Sequence, residues 1–371
     1  MNNAEPIGLY IHVPFCDGKC PYCDFYSLPA DEETMDRYAE RVAEEMGAFA
    51  RKESHRVDTL YFGGGTPSLL GGKRLAYLIG KARECFGLQN AEITAEANPA
   101  KDLSGFFEEL RAAGANRISI GLQSADEGEL RLLGRRHTAM EAIKAVCDAQ
   151  KAGFENISLD LMLAIQKQTP ESLKRSIAFC VDAGIQHVSA YLLKVEPYTA
   201  YGRKKGELAL PDEGEAADFY LLACAELEKH GFHQYEISNF AKPGFESRHN
   251  LKYWRCREYL GIGPAAHSFL NGKRFYYNRS LKGFLSGEPP VQDGEGGGFE
   301  EYAMLALRLT EGLTHEGCRA RFGFGIPERI VRAAKLYEKG GLTVCNENGF
   351  HFTPKGFLVS NMLTSEILFA K

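Results

Sequence analysis

Short apolar runs alternate with longer amphipathic stretches through the first half of the chain. The runs are rich in β-branched and aromatic residues and predict strands, and the stretches between them repeat apolar positions at helical spacing. Repeated strand–helix units predict parallel strands joined by right-handed crossovers. Because the pattern changes after Lys194, six units favour an α/β fold with a partial (β/α)6 barrel over a closed eightfold barrel. The six runs are LYIHVPF, TLYFGGG, EITAEAN, RISIGLQS, ISLDLML and HVSAYLLK.

The second half of the chain has a different pattern. One helix, EAADFYLLACAELEKHG, precedes a Gly- and aromatic-rich segment without clear periodicity, and SGEPPVQDGEGGG is typical of a surface linker. Three short helices and a hairpin that turns around Asn346 to Gly349 then predict a mostly helical, winged-helix-like domain. We expect a barrel over 1–200, an extension with HNLKYW and the linker over 201–290, and the C-terminal domain over 291–371.

Composition and charge narrow the class of protein. The 371 residues are 44% hydrophobic and 25% charged, as in ordinary globular proteins. The N-terminal MNNAEPIGLY has no signal-peptide pattern, and no run approaches the roughly 18 apolar residues of a membrane span. These features predict a cytoplasmic protein with reduced thiols and no membrane span. The net charge of −5 gives no indication of a polyanionic partner.

Three of the ten cysteines are crowded together after the first predicted strand. Cys16, Cys20 and Cys23 form a C-x3-C-x2-C run, and no second pair of ligands follows as in zinc sites. Iron–sulfur clusters normally take four cysteines. Three thiolates would leave one iron of a four-iron cluster open to a further ligand. A structural zinc site is the alternative.

Polar residues and glycines follow the later strands. A Gly-rich turn from Gly63 to Thr66 follows the second strand, while Glu96, Gln123 and Asp160 lie in or after the third, fourth and fifth. Polar groups in apolar strands are costly to bury without partners. Because the strand ends share one barrel mouth, a common ligand would satisfy them together. A tight turn and structural hydrogen bonds are the simpler alternatives.

The cysteine spacing after a first strand resembles that of the radical S-adenosylmethionine (SAM) superfamily. The resemblance implies a [4Fe–4S] cluster whose open iron chelates the methionine end of SAM, and reductive cleavage of SAM to a 5′-deoxyadenosyl radical. It also implies that the Gly-rich turn receives the SAM amino group. The SAM contacts implied by the resemblance are Tyr10, Gly64, Gly65, Thr66, Glu96, Gln123, Arg135 and Asp160.

Longer stretches resemble one branch of that superfamily. FGGGTPSLL, YEISNFAKPGFESRHNLKYW and GIGPAAHSF are similar to the oxygen-independent coproporphyrinogen III oxidase family and its haem chaperone branch, HemW. Phe25 stands where the oxidases have a further cysteine, and only a few residues precede the first strand. Both differences favour the chaperone branch. In the oxidase some matching positions serve a second SAM molecule.

The chaperone branch carries an H-N-x-x-Y-W motif, present here from His249 to Trp254. The resemblance implies haem as a ligand, and imidazole is a common axial ligand of haem iron. His249 is the first candidate and His267 the second, while a packed structural histidine is the alternative. His12, near the cluster, is interpreted as structural.

One turn departs from the family. Where relatives have a G-[LF]-P-x-Q-[TS] turn after the fifth strand, this chain has AIQKQT from Ala164 to Thr169. Losing Gly and Pro changes the backbone conformations that the turn can adopt. This change affects the expectation that the nearby Asp160 contacts SAM.

Three functions remain to be weighed. The first is a haem chaperone that transfers haem to an acceptor protein, with respiratory proteins among the candidate acceptors. The second is radical decarboxylation of coproporphyrinogen III. The third, nucleic-acid binding through the basic RARFGFGIPERIVRAAK, is less economical than a solvated surface, so no nucleic-acid partner is predicted. The oligomeric state and the role of SAM cleavage stay open.

Overall fold

The computed structural model describes residues 5–99 and 101–369. Its strands are β1 Ile7–Val13, β2 Val57–Gly64, β3 Glu92–Ala97, β4 Arg117–Gln123, β5 Asn156–Leu163, β6 His187–Leu192, β7 His233–Glu236, β8 Asn239–Ala241, β9 Tyr259–Ile262, β10 His267–Leu270, β11 Lys273–Tyr276, β12 Val291–Glu295, β13 Leu313–Thr314, β14 Thr343–Asn346 and β15 Gly349–Phe352. Its α-helices are α1 Glu32–Lys52, α2 Pro67–Leu70, α3 Gly72–Phe86, α4 Ser104–Ala113, α5 Glu127–Leu132, α6 Ala139–Lys151, α7 Pro170–Asp182, α8 Ala200–Arg203, α9 Glu213–Lys229, α10 Arg248–Trp254, α11 Leu281–Leu285, α12 Phe299–Ala306, α13 His315–Phe322, α14 Glu328–Lys335, α15 Pro354–Leu358 and α16 Ser360–Leu368. Two 3-10 turns cover Lys205–Glu207 and Glu338–Gly340.

Six parallel strands, β1 to β6, lie side by side in sequence order. All six predicted strands are present, and helices connect consecutive strands. This arrangement confirms the predicted α/β fold with a mostly parallel sheet. The carboxyl ends of the six strands therefore meet at one edge, where ligands of such folds bind.

The two faces of the strands differ in polarity. Leu9 and Ile11 of β1 are fully buried in the main hydrophobic core together with Val42 and Met46 of α1. The helix buries positions spaced three to four residues apart, as an amphipathic helix must. The alternate side of β1 carries Tyr10, which faces the inner cleft. Strand alternation therefore separates an outer apolar layer from a polar interior.

The sheet is wider than the sequence pattern predicts. It contains twelve strands in the order β12-β11-β10-β9-β1-β2-β3-β4-β5-β6-β8-β7. The segment without periodicity supplies β7 to β11, and β9 pairs in parallel with β1. The predicted linker is wrong for Val291–Glu295, which pairs with β11 as an exposed edge strand. Backbone pairing at an edge needs no apolar side chains, so the sequence pattern does not reveal it.

The C-terminal region has the predicted three helices and the hairpin of β14 and β15. β13, β15 and β14 form a separate three-stranded sheet. The region also joins the larger sheet, because Ile237 donates its amide hydrogen to the Arg308 carbonyl at 3.0 Å. Buried residues from both regions, among them Ile7 and Leu363, belong to one hydrophobic core.

Candidate functional site

The cysteine run lies on a loop that leaves β1 and returns beside it. The loop is closed at its base, where Leu28 donates its amide hydrogen to Pro14 at 2.9 Å and Cys16 donates to Leu28 at 3.0 Å. The thiols of Cys16, Cys20 and Cys23 are free and partly exposed. All three line one cleft of about 1020 Å³ at the carboxyl ends of the strands. The fold thus brings the three predicted cluster ligands together on the predicted edge.

The glycine turn holds the base of the cysteine loop. Gly65 donates its amide hydrogen to the Val13 carbonyl and Thr66 donates to the Phe15 carbonyl, each at 2.8 Å. A Cβ on Gly65 would lie 2.6 Å from the Phe15 oxygen, and Gly64 adopts a φ of +110°. Both positions therefore require glycine. The Thr66 carbonyl oxygen in turn accepts from the Leu69 amide at 2.9 Å, so the turn is held by backbone hydrogen bonds on both sides.

Glu96 lies at the end of β3 and faces the cleft. Its carboxylate accepts hydrogen bonds from the Tyr61 hydroxyl at 2.9 Å and from the Gly64 amide at 3.3 Å. Burial and the nearby charge of Asp160 raise the pKa of Glu96 to about 7. A cation placed against this carboxylate would favour its charged form. Glu96 is therefore suited to a ligand with a positive group.

The remaining predicted SAM contacts also reach the cleft. Gln123, Arg135, Asp160 and Tyr10 all line it. Gln123 has a φ of +69°, and such strained backbone is typical of functional sites. Ser119 donates to the Asp160 carboxylate at 3.1 Å, while burial raises the pKa of that group.

Arg135 connects the strand ends to the cysteine loop. Its guanidinium donates to Cys20 Sγ at 3.6 Å, to Gly121 O at 3.0 Å and to Asn98 Oδ1 at 3.3 Å. Its buried Nε has no partner in the described structure. The sequence did not single out Asn98, although it lies only two residues after Glu96.

The donor set fits a cluster better than a closed single-ion site. Among the described residues, no group of three or more His, Cys, Asp or Glu side chains is arranged to hold one metal ion. The three thiols nonetheless share one cleft, and the Arg135 guanidinium donates a hydrogen bond to the Cys20 sulfur. In a four-iron cluster each cysteine binds a different iron, so the sulfurs need not converge on one point.

The unusual turn after β5 has two residues in the left-handed backbone conformation that usually requires glycine. Ala164 and Lys167 have φ values of +57° and +61°. The Gln168 side chain holds this shape, because its oxygen accepts from the Ala164 amide at 2.7 Å and its nitrogen donates to the Met162 carbonyl at 3.1 Å. Asp160, on the strand before the turn, still lines the cleft.

His249, the first candidate for a haem ligand, lies on α10 under the opposite end of the parallel strands. It is 1% exposed, and burial lowers its pKa to about 3. Nδ1 lies 2.8 Å from Thr59 Oγ1, and Nε2 lies 2.8 Å from the Tyr253 hydroxyl. Its assignment as a ligand stays a prediction, one that requires the ring to leave both partners.

Other residues of the same motif do reach the cleft. Tyr253 and Trp254 line it, as does the second candidate, His267. The Trp254 ring packs under the Arg308 guanidinium at 4.3 Å, and its indole nitrogen has no hydrogen-bond partner in the described chain. Phe25 also lines the cleft and is 65% exposed. The sequence named the motif and His267 as candidates, but only the fold shows which of their side chains line the cleft.

Comparisons with known proteins identify the family. The radical SAM superfamily profile matches residues 10–180, and the HemN C-terminal domain profile matches residues 299–359. Heme chaperone HemW of Mycobacterium tuberculosis (strain CDC 1551 / Oshkosh) is 37% identical over 98% of this chain and 95% of its own. HemW of Bacillus subtilis (strain 168) is 33% identical over 95% of this chain and 96% of its own. This chain belongs to the HemW family.

The fold of this HemW-family chain is shared with a solved radical SAM enzyme. Coproporphyrinogen III oxidase (HemN) from Escherichia coli matches with a TM-score of 0.82 and 24% identity, over 97% of this chain and 89% of that chain. Membership in the radical SAM superfamily implies a [4Fe–4S] cluster and SAM. Within residues 5–99 and 101–369, no helix combines the length and apolar character needed to cross a membrane.

Proposed function

We propose that this protein is a haem chaperone, which binds haem beside a SAM-ligated [4Fe–4S] cluster and passes the haem to an acceptor protein. The observation that carries the proposal is the near full-length similarity to relatives named heme chaperone HemW, at 33–37% identity. The cleft of about 1020 Å³ is large for a single small-molecule site, which typically measures roughly 300–1,000 Å³. Its size is consistent with more than one ligand.

Different residues of the cleft would bind the cluster and SAM. Cys16, Cys20 and Cys23 would hold the cluster, and Arg135 would keep its hydrogen bond to the Cys20 sulfur. Glu96 would accept hydrogen bonds from the amino group of SAM together with the carbonyl oxygens of the glycine turn. The other proposed SAM contacts are Tyr10, Gly64, Gly65, Thr66, Gln123 and Asp160. When bound, the cluster supplies an electron to the sulfonium of SAM.

The domain organisation completes the proposal. The barrel of residues 1–200 would carry the cluster and SAM, and the extension over 201–290 would add the wall of the cleft that holds haem. The C-terminal domain over 291–371 would close that wall, because Leu305 lines the cleft and Arg308 packs on Trp254. Haem and its acceptor are then the partners, and we expect the protein to act in the cytoplasm.

The test separates a chaperone from a porphyrin-modifying enzyme. The protein is reconstituted anaerobically with iron and sulfide, loaded with haem, and mixed with a haem-depleted respiratory cytochrome. We expect the cytochrome spectrum to appear faster than with free haem at the same concentration. In parallel, SAM, a reductant and coproporphyrinogen III are added and the porphyrins are separated by chromatography.

The outcomes of the two arms differ clearly. Haem transfer without protoporphyrinogen supports the chaperone. Formation of protoporphyrinogen would instead assign the oxidase reaction, despite Phe25 in the cysteine loop. A Cys23→Ser variant serves as the cluster-deficient control in both arms, since it removes one proposed ligand.

A further inference from the structure

The cleft extends beyond the cysteine loop to a second end with a different lining. That end is formed by α10, β9 to β11 and α12, and it lies beside the cysteine loop because Arg279 donates to the Asp24 carbonyl. Its walls are mainly aromatic and apolar, which suits the face of a porphyrin. The residues that line it are Tyr253, Trp254, Tyr259, His267, Tyr276 and Leu305.

His267 presents its ring to this end of the cleft. It is the first residue of β10, where it pairs with Tyr276 of β11, and the two rings stack at 5.2 Å. The side chain is exposed. Neither ring nitrogen has a hydrogen-bond partner within the described residues. A neutral imidazole nitrogen with a free lone pair is the group that ligates haem iron.

The other histidines near the cleft lack a free nitrogen. His12 is 4% exposed, with Nδ1 3.0 Å from the Tyr10 hydroxyl and Nε2 3.0 Å from the Tyr26 carbonyl oxygen. His249 does not line the cleft, and both of its nitrogens are engaged. Because iron takes one imidazole nitrogen, ligation by His12 would cost one of these hydrogen bonds, and His249 would lose both because its ring must first leave its place. Ligation by His267 would cost none.

The charge around the cleft suits the acidic edge of haem. Lys19, Lys194 and Arg279 line the cleft and are exposed at its surface. The two propionates of haem are carboxylates, which pair favourably with Lys and Arg. Arg279 already binds the Asp24 carbonyl, and Lys194 pairs with Glu196 at 2.6 Å. The cleft as a whole thus combines an aromatic wall, an available imidazole and cations that a propionate would meet.

We propose that His267 would ligate the iron of haem at this end of the cleft. The proposal rests on the proposed haem chaperone function and names the ligand of that function. His249 is then a positioning residue, because its Nε2 lies 2.8 Å from the hydroxyl of Tyr253, a residue of the cleft wall. His249 thus holds Tyr253 in the wall of the haem site, while His267 binds the iron.

The experiment compares haem complexes of the cluster-reconstituted full chain. Haemin is titrated into the wild type, His267→Ala, His249→Ala and His230→Ala, and the Soret absorption and the electron paramagnetic resonance of ferric haem are recorded. His230 is a matched control, because it is an exposed histidine that does not line the cleft. Thermal melts check that each variant is folded.

We expect His267→Ala alone to lose the imidazole-type spectrum. Its haem Kd should rise by at least about tenfold, since even outer-shell partners of metal ligands are worth about 10- to 100-fold in affinity. Added imidazole should restore the spectrum by entering the vacated space. His249→Ala should keep the imidazole-type spectrum, with weaker affinity through a displaced Tyr253, and His230→Ala should match the wild type.

The outcomes separate the ligand from the function. If the wild type binds haem and His267→Ala keeps its spectrum, the ligand assignment is wrong while the chaperone proposal stands. Loss of the imidazole spectrum in His249→Ala but not in His267→Ala would move the ligand to the motif histidine. If the wild type binds no haem, the proposed function fails and the ligand assignment fails with it.

Discussion

Glu96 and Asp160 place two partly buried carboxyl groups in the same cleft. Burial is the main reason that both pKa values are raised, and for Glu96 the charge of Asp160 adds to it. Both groups retain hydrogen-bond donors, Tyr61 for Glu96 and Ser119 for Asp160. The charge of the buried Arg117 offsets part of the cost of burial for both groups. A positively charged ligand in the cleft would offset more of it.

The raised pKa of Glu96 should make the stability of the protein depend on pH. Its pKa in the folded protein, about 7, lies above the ordinary value of 4.5, so the folded state binds the proton more tightly. The resulting stability is fully present below the unfolded pKa and is lost as pH rises through 7. In the ligand-free protein, the free energy of unfolding should fall by about 1–3 kcal/mol relative to Glu96→Gln over this range.

Urea denaturation between pH 4.5 and 8 checks this expectation. Glu96→Gln keeps acceptors for Tyr61 and Gly64 but cannot ionise, so the comparison isolates the carboxyl group. Glu40→Gln, an exposed position on α1, should follow the wild-type profile. Parallel profiles for the wild type and Glu96→Gln would show that the Glu96 pKa is not raised.

At the scale of elements, the conformation of the cysteine loop is held more by neighbouring elements than by hydrogen bonds within the loop. The glycine turn after β2 supports it from below, and Arg279, just beyond β11, anchors it through the carbonyl oxygen of Asp24. The loop between Pro14 and Leu28 has only its two base hydrogen bonds and the Cys20–Cys23 turn as recorded backbone bonds of its own. The spacing of the sulfurs is therefore set by elements distant in sequence.

We predict that Gly65→Ala disrupts the cluster without unfolding the barrel. The new Cβ would lie 2.6 Å from the Phe15 oxygen and 2.9 Å from the Val13 oxygen, both backbone atoms at the root of the cysteine loop. Because backbone cannot yield as a flexible side chain does, the loop must shift. Iron and sulfide retained after anaerobic reconstitution should fall severalfold.

Gly80→Ala provides the matched control. Gly80 lies in α3, and no atom lies within 4 Å of its added Cβ. This variant should retain wild-type iron and sulfide, with stability equal to or slightly above the wild type, since Ala favours helices by about 1 kcal/mol over Gly. Equal cluster content in Gly65→Ala and Gly80→Ala would contradict the role assigned to the turn.

At the scale of the whole molecule, barrel and C-terminal region share one hydrophobic core. Residues from Ile7 to Leu368 belong to the same buried cluster. Backbone hydrogen bonds from Ile237 to Arg308 and from Thr310 to Tyr235 join the two regions. Regions that share a core and a sheet edge are expected to unfold together.

Ile367→Ala tests this cooperativity. Ile367 is fully buried on α16, and its truncation should cost about 2–5 kcal/mol. Urea unfolding is followed by circular dichroism and by the fluorescence of Trp254, which packs against Arg308. Both midpoints should fall together, although the substitution lies in the C-terminal region.

A substitution on the same helix supplies the control. Met362 is 47% exposed, so Met362→Ala should change stability by less than about 0.5 kcal/mol. If Ile367→Ala splits the transition, with Trp254 fluorescence unchanged, the two regions unfold independently.

The sequence by itself determined the six parallel strands and the family, and it predicted the cysteine run as a cluster site. Strand and helix periods are local properties, and the six runs from β1 to β6 alternate with helices in a regular way. The three cysteines lie within eight residues, so their separation along the chain is visible before folding. The strand-end residues Glu96 and Asp160 were predictable because parallel strands place their carboxyl ends at one edge.

Only the tertiary structure decided which side chains face the cleft at its second end. A motif fixes residue types, but the packing of α10 against β2 buries His249 and turns Tyr253 and Trp254 toward the cleft. The exposure of the His267 side chain to the cleft depends on the pairing of β10 with β11. Strand β12 forms because its backbone pairs with β11 at the edge of the sheet. These outcomes come from contacts between residues far apart in the chain, which no local pattern of polar and apolar residues encodes.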